Sequence, residues 1–307
     1  MHLLPPHGEC FIECKNVCDI ESISLLVKLA SRVKLPAIRI TGGEPLLFPD
    51  RVERILSECY ENYLGKIILN TNGSFLHNNW KMLSKYKEIF LLKISFDTLS
   101  ERHFNRIINR DLYKQTYDNL ICAIDLGFSI EINTVINKVN KHQVIDLISF
   151  ADEKGVDIKL FGVNAYEGMI DYDNVYADLS EIVEILDNKY QRCNNEKLRG
   201  NRGISMLKYK LTSDCYVWVL EHSQKSQYNR EEKHYSQNCL ECKYYPCSTG
   251  RFSIMLRADG LLQGCRMIPE NGINISERSC SDIKNAFEQI LSEYSNCFEF
   301  SSQTIKI

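Results

Sequence analysis

The chain has 307 residues, 44% hydrophobic and 25% charged, enough to bury a sizeable core and to build a barrel with an appendage. Its net charge of −3 gives no broad grip on nucleic acid or an anionic membrane. No apolar run approaches the roughly 18 residues of a spanning helix, and the start lacks the basic and apolar regions of a signal peptide. The expected compartment is therefore the cytoplasm, with neither nucleic acid nor membrane as a partner.

From the N-terminus, the first feature is Cys10, Cys14 and Cys18, part of a total of 13 cysteines. That count is odd and high for an intracellular chain. Disulfide frameworks belong to short secreted domains, so the clustered cysteines point to thiolate–metal chemistry. The single ones at 59, 122, 193 and 215 read as small buried hydrophobes. A helix is predicted over 19–34, with Ile20, Ile23, Val27 and Ala30 on one side. It leads to a β run at 37–40 and the turn Thr41-Gly42-Gly43-Glu44-Pro45. A helix near 50–62 leads to a strand at 66–70 and then Thr71-Asn72-Gly73. A third helix leads to a strand at 89–95, followed by Phe96-Asp97-Thr98-Leu99. Helical segments over about 100–126 lead to 129–135, which holds Ile132-Asn133-Thr134-Val135, and a helix near 140–154 leads to 157–161.

Strands rich in Ile, Leu and Val that alternate with amphipathic helices imply right-handed βαβ units and a parallel sheet. The predicted fold class is α/β, a partial (β/α) barrel over residues 1–165 with its chemistry at the strand C-termini. After 165 the regularity fades. Short β-like runs at about 205–220 and 252–263, a second cysteine group and a helix near 280–294 predict a small cysteine-rich C-terminal domain over 166–307.

At the strand ends, Gly42 and Gly43 let the backbone approach a ligand, and Glu44 offers an acceptor for an ammonium group. Taken alone this is only a tight turn, Asn72-Gly73 another, and Asp97 or Ser100 a cap for the next helix. Order and spacing say more. TGGEPLL, TNG, SFDTL and INTV, each closing a predicted strand, resemble the radical S-adenosylmethionine (SAM) superfamily, and within it the GTP 3′,8-cyclases of molybdenum-cofactor biosynthesis. The resemblance runs from Met1 to about residue 165 and resumes at 239–265. It implies SAM and a [4Fe–4S] cluster with three cysteine ligands as cofactors, generating a 5′-deoxyadenosyl radical. It implies that Gly42, Gly43, Glu44 and Pro45 bind the methionine amino group. Thr71 and Ser95 match polar positions at the ligand end, and Asn133 matches the family asparagine of the INTV strand. It also implies a small-molecule or peptide substrate and a reducing partner such as flavodoxin or ferredoxin.

The chain also departs from the family. The usual C-x3-C-x2-C ligands lie well before GGEP, and counting back puts the third immediately before Met1. Either that segment and the first strand precede this sequence, or Cys10, Cys14 and Cys18, spaced C-x3-C-x3-C, take over. Their extra residue and closeness to the first helix favour the former. Further on, Cys239-Leu240-Glu241-Cys242 is a knuckle, Cys247 follows, and Cys265 ends a strand, an Asp259-Gly260 turn and a second strand. Thiolates converging this way bind zinc or an iron–sulfur cluster, and the resemblance implies an auxiliary [4Fe–4S] cluster. The cyclases use three ligands there. A fourth, Cys247, would close the cluster and suit it to electron transfer or structural support. Arg39 is retained, but the Asn-Arg-x-Arg run after the knuckle and the terminal Gly-Gly tail are not. Glu131 replaces an expected basic residue and would repel a triphosphate. These departures argue against GTP. The competing expectation is a catalytically silent or zinc-binding scaffold that lost the SAM cluster.

Overall fold

The computed structural model describes residues 18–163, 172–193, 206–220, 254–264 and 272–293. Helix α1 (Ile20–Arg32) starts at Asp19, whose carboxylate accepts the Ser22 N–H at 2.7 Å and so satisfies one open donor of the first turn. Then follow β1 (Ala37–Ile40), α2 (Pro49–Asn62), β2 (Lys66–Thr71), α3 (Trp80–Ser84), β3 (Phe90–Ser95), α4 (Glu101–Ile108), α5 (Tyr113–Asp125), β4 (Ile130–Ile136), α6 (Val144–Lys154) and β5 (Asp157–Gly162). The predicted strands are all present. The third predicted helix is a short α3 behind a 3-10 turn at Leu76–Asn78.

Strands β1 to β5 pair in chain order, all parallel. The sheet then runs on past residue 165. After α7 (Tyr172–Val175), α8 (Ser180–Lys189), β6 (Gln191–Arg192) and β7 (Leu207–Lys210), strand β8 (Tyr216–Leu220) lies parallel to β5. Strands β7 and β6 continue outward, antiparallel. Among the described residues this is one open eight-stranded sheet ordered β1-β2-β3-β4-β5-β8-β7-β6. It has the partial-barrel form, and it takes in strands β6, β7 and β8 from beyond residue 165.

Because side chains alternate along a strand, one face carries Leu69, Leu92, Ile94, Ile132, Ile158, Leu160, Val217 and Val219 into the main core beneath the helices. Each such fully buried aliphatic side chain contributes about 1.5–3 kcal/mol. A second core lies on the far side of α1. There Cys18, Leu29 and Val33 pack with Leu262 of β10 (Leu261–Gln263), with Ile275, and with Ile283, Phe287 and Ile290 of α9 (Cys280–Glu293). Strand β10 pairs antiparallel with β9 (Met255–Leu256) and β11 (Ile273–Asn274). The β9–β10 turn needs its glycine. Gly260 sits at φ +82°, and a Cβ there would meet Ser276 Oγ at 1.9 Å. No described helix is long and apolar enough to cross a membrane.

Candidate functional site

Since β1 to β4 run parallel, the four motifs fall at one edge of the sheet, past the strand C-termini. Glu44 is the hub. It is 8% exposed, and its Oε1 accepts the Leu46 N–H at 3.1 Å and the Thr71 hydroxyl at 2.7 Å. Its Oε2 accepts the Asn72 N–H at 2.7 Å. Thr71 Oγ1 in turn accepts the Gly73 N–H at 3.0 Å. One carboxylate therefore laces the GGEP loop after β1 to the TNG loop after β2. From behind, Asn119 on α5 donates its side-chain N–H to the Gly73 carbonyl at 2.7 Å. At Gly42 no atom of the described residues lies within 4 Å of where a Cβ would stand, so among them the main chain is open to a ligand. Ser95 and Asn133 are register partners on β3 and β4. Ser95 is exposed, while Asn133 Oδ1 is buried with no hydrogen-bond partner among the described residues.

Of the two candidate helix caps, Ser100 takes the role by accepting the His103 N–H of α4 at 3.4 Å. Asp97 does something else. Its Oδ1 accepts the Val135 N–H at 2.8 Å, tying the end of β3 to β4. Asn140 reinforces the tie, donating to the Asp97 and Val135 carbonyls, each at 2.9 Å. Burial pushes the Asp97 carboxyl up to about 6, against the pull of the Val135 N–H. The native state then holds the proton more tightly than the unfolded chain, so stability falls as pH rises from about 3.8 to about 6. Asp97→Asn keeps the acceptor and removes the charge. It is expected to flatten this dependence and to be the more stable protein at pH 8, by at most about 3 kcal/mol. Urea denaturation at pH 4.5 and pH 8 measures both, and equal pH dependence in the two proteins would refute it.

The other face of the strands carries charge. Lys93 on β3 and Glu131 on β4 are register partners and form a buried ion pair. Burial lowers Lys93 from its ordinary value, Glu131 opposes this, and Arg39 and Lys66 add to the lowering. Glu131, expected to repel a triphosphate, is thus matched by a cation that the sequence alone does not bring to it. The repulsion expected of an unpaired carboxylate is largely offset. The signal for Lys93 and for Lys159 on β5 is their presence in parallel strands, which otherwise read as continuous apolar runs.

Cys239, Cys242, Cys247 and Cys265 lie outside the described residues, as do Cys10 and Cys14. Strand β9, the Asp259-Gly260 turn and β10 do have the strand–turn–strand form expected ahead of Cys265. Cys18 is 2% exposed within the second core. Its N–H donates to the Ala258 carbonyl at 2.9 Å, and its carbonyl accepts the Arg51 guanidinium. Burial raises its thiol, Asp19 adds to the rise and Arg51 opposes it. Held this way it packs as a small hydrophobe of the second core.

The family model of the radical SAM superfamily matches residues 15–151. The chain carries a radical SAM domain. Relatives include the GTP 3′,8-cyclase of Synechocystis sp., 23% identical over 292 residues that cover 94% of this chain and 81% of that one. Molybdenum cofactor biosynthesis protein 1 of Dictyostelium discoideum is 28% identical over 192 residues, covering 62% of this chain and 30% of its own length. The radical SAM fold is shared with Streptococcus suis SuiB bound to S-adenosylmethionine, at TM-score 0.55 and 16% identity over 86% of this chain and 58% of that one. It is shared too with anSMEcpe with bound AdoMet and Cp18Cys peptide, at TM-score 0.53 and 15% identity over 97% and 81%. The chain thus spans 30% of the Dictyostelium protein and 58% of SuiB. A radical SAM domain implies SAM and a [4Fe–4S] cluster. The residues present fit SAM: the open main chain at Gly42 and the unpaired Asn133 Oδ1 offer acceptors to a ligand rich in N–H and O–H donors.

Proposed function

We propose that this protein is a radical SAM enzyme that abstracts a hydrogen atom from a peptide or a small metabolite. The observation that carries the reading is the lacing of the GGEP and TNG loops by Glu44, at the same sheet edge as Ser95 and the unpaired Asn133 Oδ1. Gly42, Gly43, Glu44 and Pro45 would present SAM's methionine end, with Thr71, Ser95 and Asn133 along the same edge. SAM and its reduced [4Fe–4S] cluster would supply the 5′-deoxyadenosyl radical. A peptide substrate is supported by anSMEcpe, whose solved structure holds one. GTP is disfavoured by the missing Asn-Arg-x-Arg run, although relatives carry the cyclase name. Cys239, Cys242, Cys247 and Cys265 would hold an auxiliary [4Fe–4S] cluster, closed by its fourth thiolate.

The second reading, a catalytically silent or zinc-binding scaffold, draws on Cys18, which is packed into the second core. One experiment separates the two. The protein is reconstituted anaerobically with iron and sulfide, reduced, given SAM and assayed for 5′-deoxyadenosine and bound metal. Release of 5′-deoxyadenosine establishes the enzyme, and a colourless, inert protein with zinc establishes the scaffold. Cys242→Ala is expected to lose the auxiliary iron and much of the stability of residues 239–265, because the metal supplies much of such a site's folding energy. Unchanged iron content in that variant would dismiss the assignment.

A further inference from the structure

Two histidines meet past the C-terminal ends of β3 and β4, and nothing assigned so far uses them. His103 lies in the first turn of α4, the helix that follows β3. His142 lies in the 3-10 turn Lys141–Gln143 between β4 and α6. Their rings stand perpendicular, with centres 5.4 Å apart. One atom joins them: Gln143 Nε2 is 2.6 Å from His103 Nδ1 and 3.1 Å from His142 Nε2. The other end of the Gln143 amide fixes which way these bonds run. Thr98, only 1% exposed, accepts the Ser100 N–H at 3.0 Å, and its hydroxyl donates to Gln143 Oε1. With the oxygen engaged there, the two amide N–H groups face the imidazoles as donors. Each imidazole therefore turns a bare lone pair to the same point, His103 keeping its proton on Nε2 and His142 on Nδ1.

An amide nitrogen that donates to both rings stands where a cation would sit between two imidazole ligands. Bare imidazole nitrogens that share one focus suit divalent ions of the zinc, nickel and copper class, whereas magnesium and calcium take oxygen. Among the described residues no three His, Cys, Asp or Glu side chains gather round one point, so further ligands here come from the amide and from water. The amide can supply one. A half-turn exchanges its ends, sets Oε1 beside the two imidazoles and returns the N–H groups to Thr98 Oγ1, which can accept. His142 is exposed, so its ring has room to close on an ion. The ammonium of Lys141, its neighbour in the turn, is matched by Glu181 at 3.1 Å.

We infer that His103, His142 and the Gln143 amide form a site for one divalent transition-metal ion, completed by water. Its ligands come from the connections that follow β3 and β4, the strands that carry Ser95 and Asn133. An ion held there ties the first turn of α4 to the turn before α6 and braces that side of the rim. The inference goes beyond the radical SAM reading, and its test does not depend on that reading.

The test uses the whole chain with the rings of its 7 histidines labelled with 15N, at pH 8, where ordinary imidazole is neutral. Long-range 15N–1H spectra read which nitrogen of each ring carries the proton. Before metal is added, His103 is expected as the Nε2–H tautomer and His142 as the Nδ1–H tautomer. His103→Ala and His142→Ala, each checked for folding by thermal melting, assign the signals. Zinc sulfate is expected to move the bare-nitrogen signals of both rings together and saturably, and magnesium sulfate to leave them in place. Cysteines also take zinc, but zinc on a thiolate elsewhere does not move these two signals. Each single variant is expected to weaken the response of the remaining ring about a hundredfold, the loss of one arm of a chelate. Gln143→Glu puts a carboxylate where the amide stands and is expected to tighten zinc binding about tenfold, since added ligand charge raises affinity. A response of the exposed His142 alone, rings that titrate at different zinc concentrations, the opposite tautomers, or no gain in Gln143→Glu would overturn the site.

Discussion

Glu44→Ala is expected to weaken SAM binding by about a hundredfold, the effect of losing one or two charge-assisted hydrogen bonds' worth of order. The variant strands three donors at once: the Leu46 N–H, the Thr71 hydroxyl and the Asn72 N–H. With the lacing gone, the open main chain at Gly42 is no longer fixed against the TNG loop. Glu44→Gln discriminates this role from simple loss of charge. Its oxygen can still accept from Leu46 and Thr71, but its amide N–H then faces the Asn72 N–H, so about tenfold weakening is expected. Calorimetry with SAM on anaerobically reconstituted protein reads both values, and thermal melting reports the loop. Wild-type affinity in Glu44→Ala would show that the carboxylate does not organise the site.

The larger effect on stability is expected from Glu131→Ala. It leaves Lys93 buried without its partner and still facing Arg39 and Lys66, a loss of about 3–5 kcal/mol. The sign of its pH dependence follows from Lys93. With Glu131 gone, burial and the neighbouring cations lower its ammonium further below 10.5, so the native state binds fewer protons than the unfolded one. The variant should therefore regain stability as pH rises toward 10.5. Replacing both partners, Lys93→Met with Glu131→Leu, is expected to recover most of the loss, since an apolar pair leaves no charge unmatched. Denaturant titrations of the three proteins form the check. A double variant no better than Glu131→Ala would mean that packing, and not charge, sets the cost.

Much of the barrel was legible because each strand of the first half is an apolar run and each motif stands directly after one. Gly42, Glu44, Thr71, Ser95 and Asn133 could be placed at one edge from that alone. What each side chain does there was less legible. Nothing in the spacing says that Glu44 and Thr71 bond to each other, since that depends on how two loops from separate βα units lean together. Strand β8 was legible as a β run, but not its partner. Its pairing with β5 skips the intervening β6 and β7, and residues 216–220 read as apolar in either direction. Lys93, Glu131 and Lys159 carried a readable hint, charges inside parallel strands, without a way to tell which would meet.

The packing of α1 between two cores has a consequence for biogenesis. Val27 and Ala30 join the main core, but Leu29 and Val33 are covered by Leu262, Ile275 and Phe287 from the far end of the chain. During synthesis that apolar stripe lacks the cover of these residues until α9 leaves the ribosome. Contacts of such long sequence separation form late, and the uncovered surface in the interval is what chaperones bind and aggregates recruit. Helix α9 is thus also the cover of α1, and nascent chains stopped short of it should depend most on chaperones.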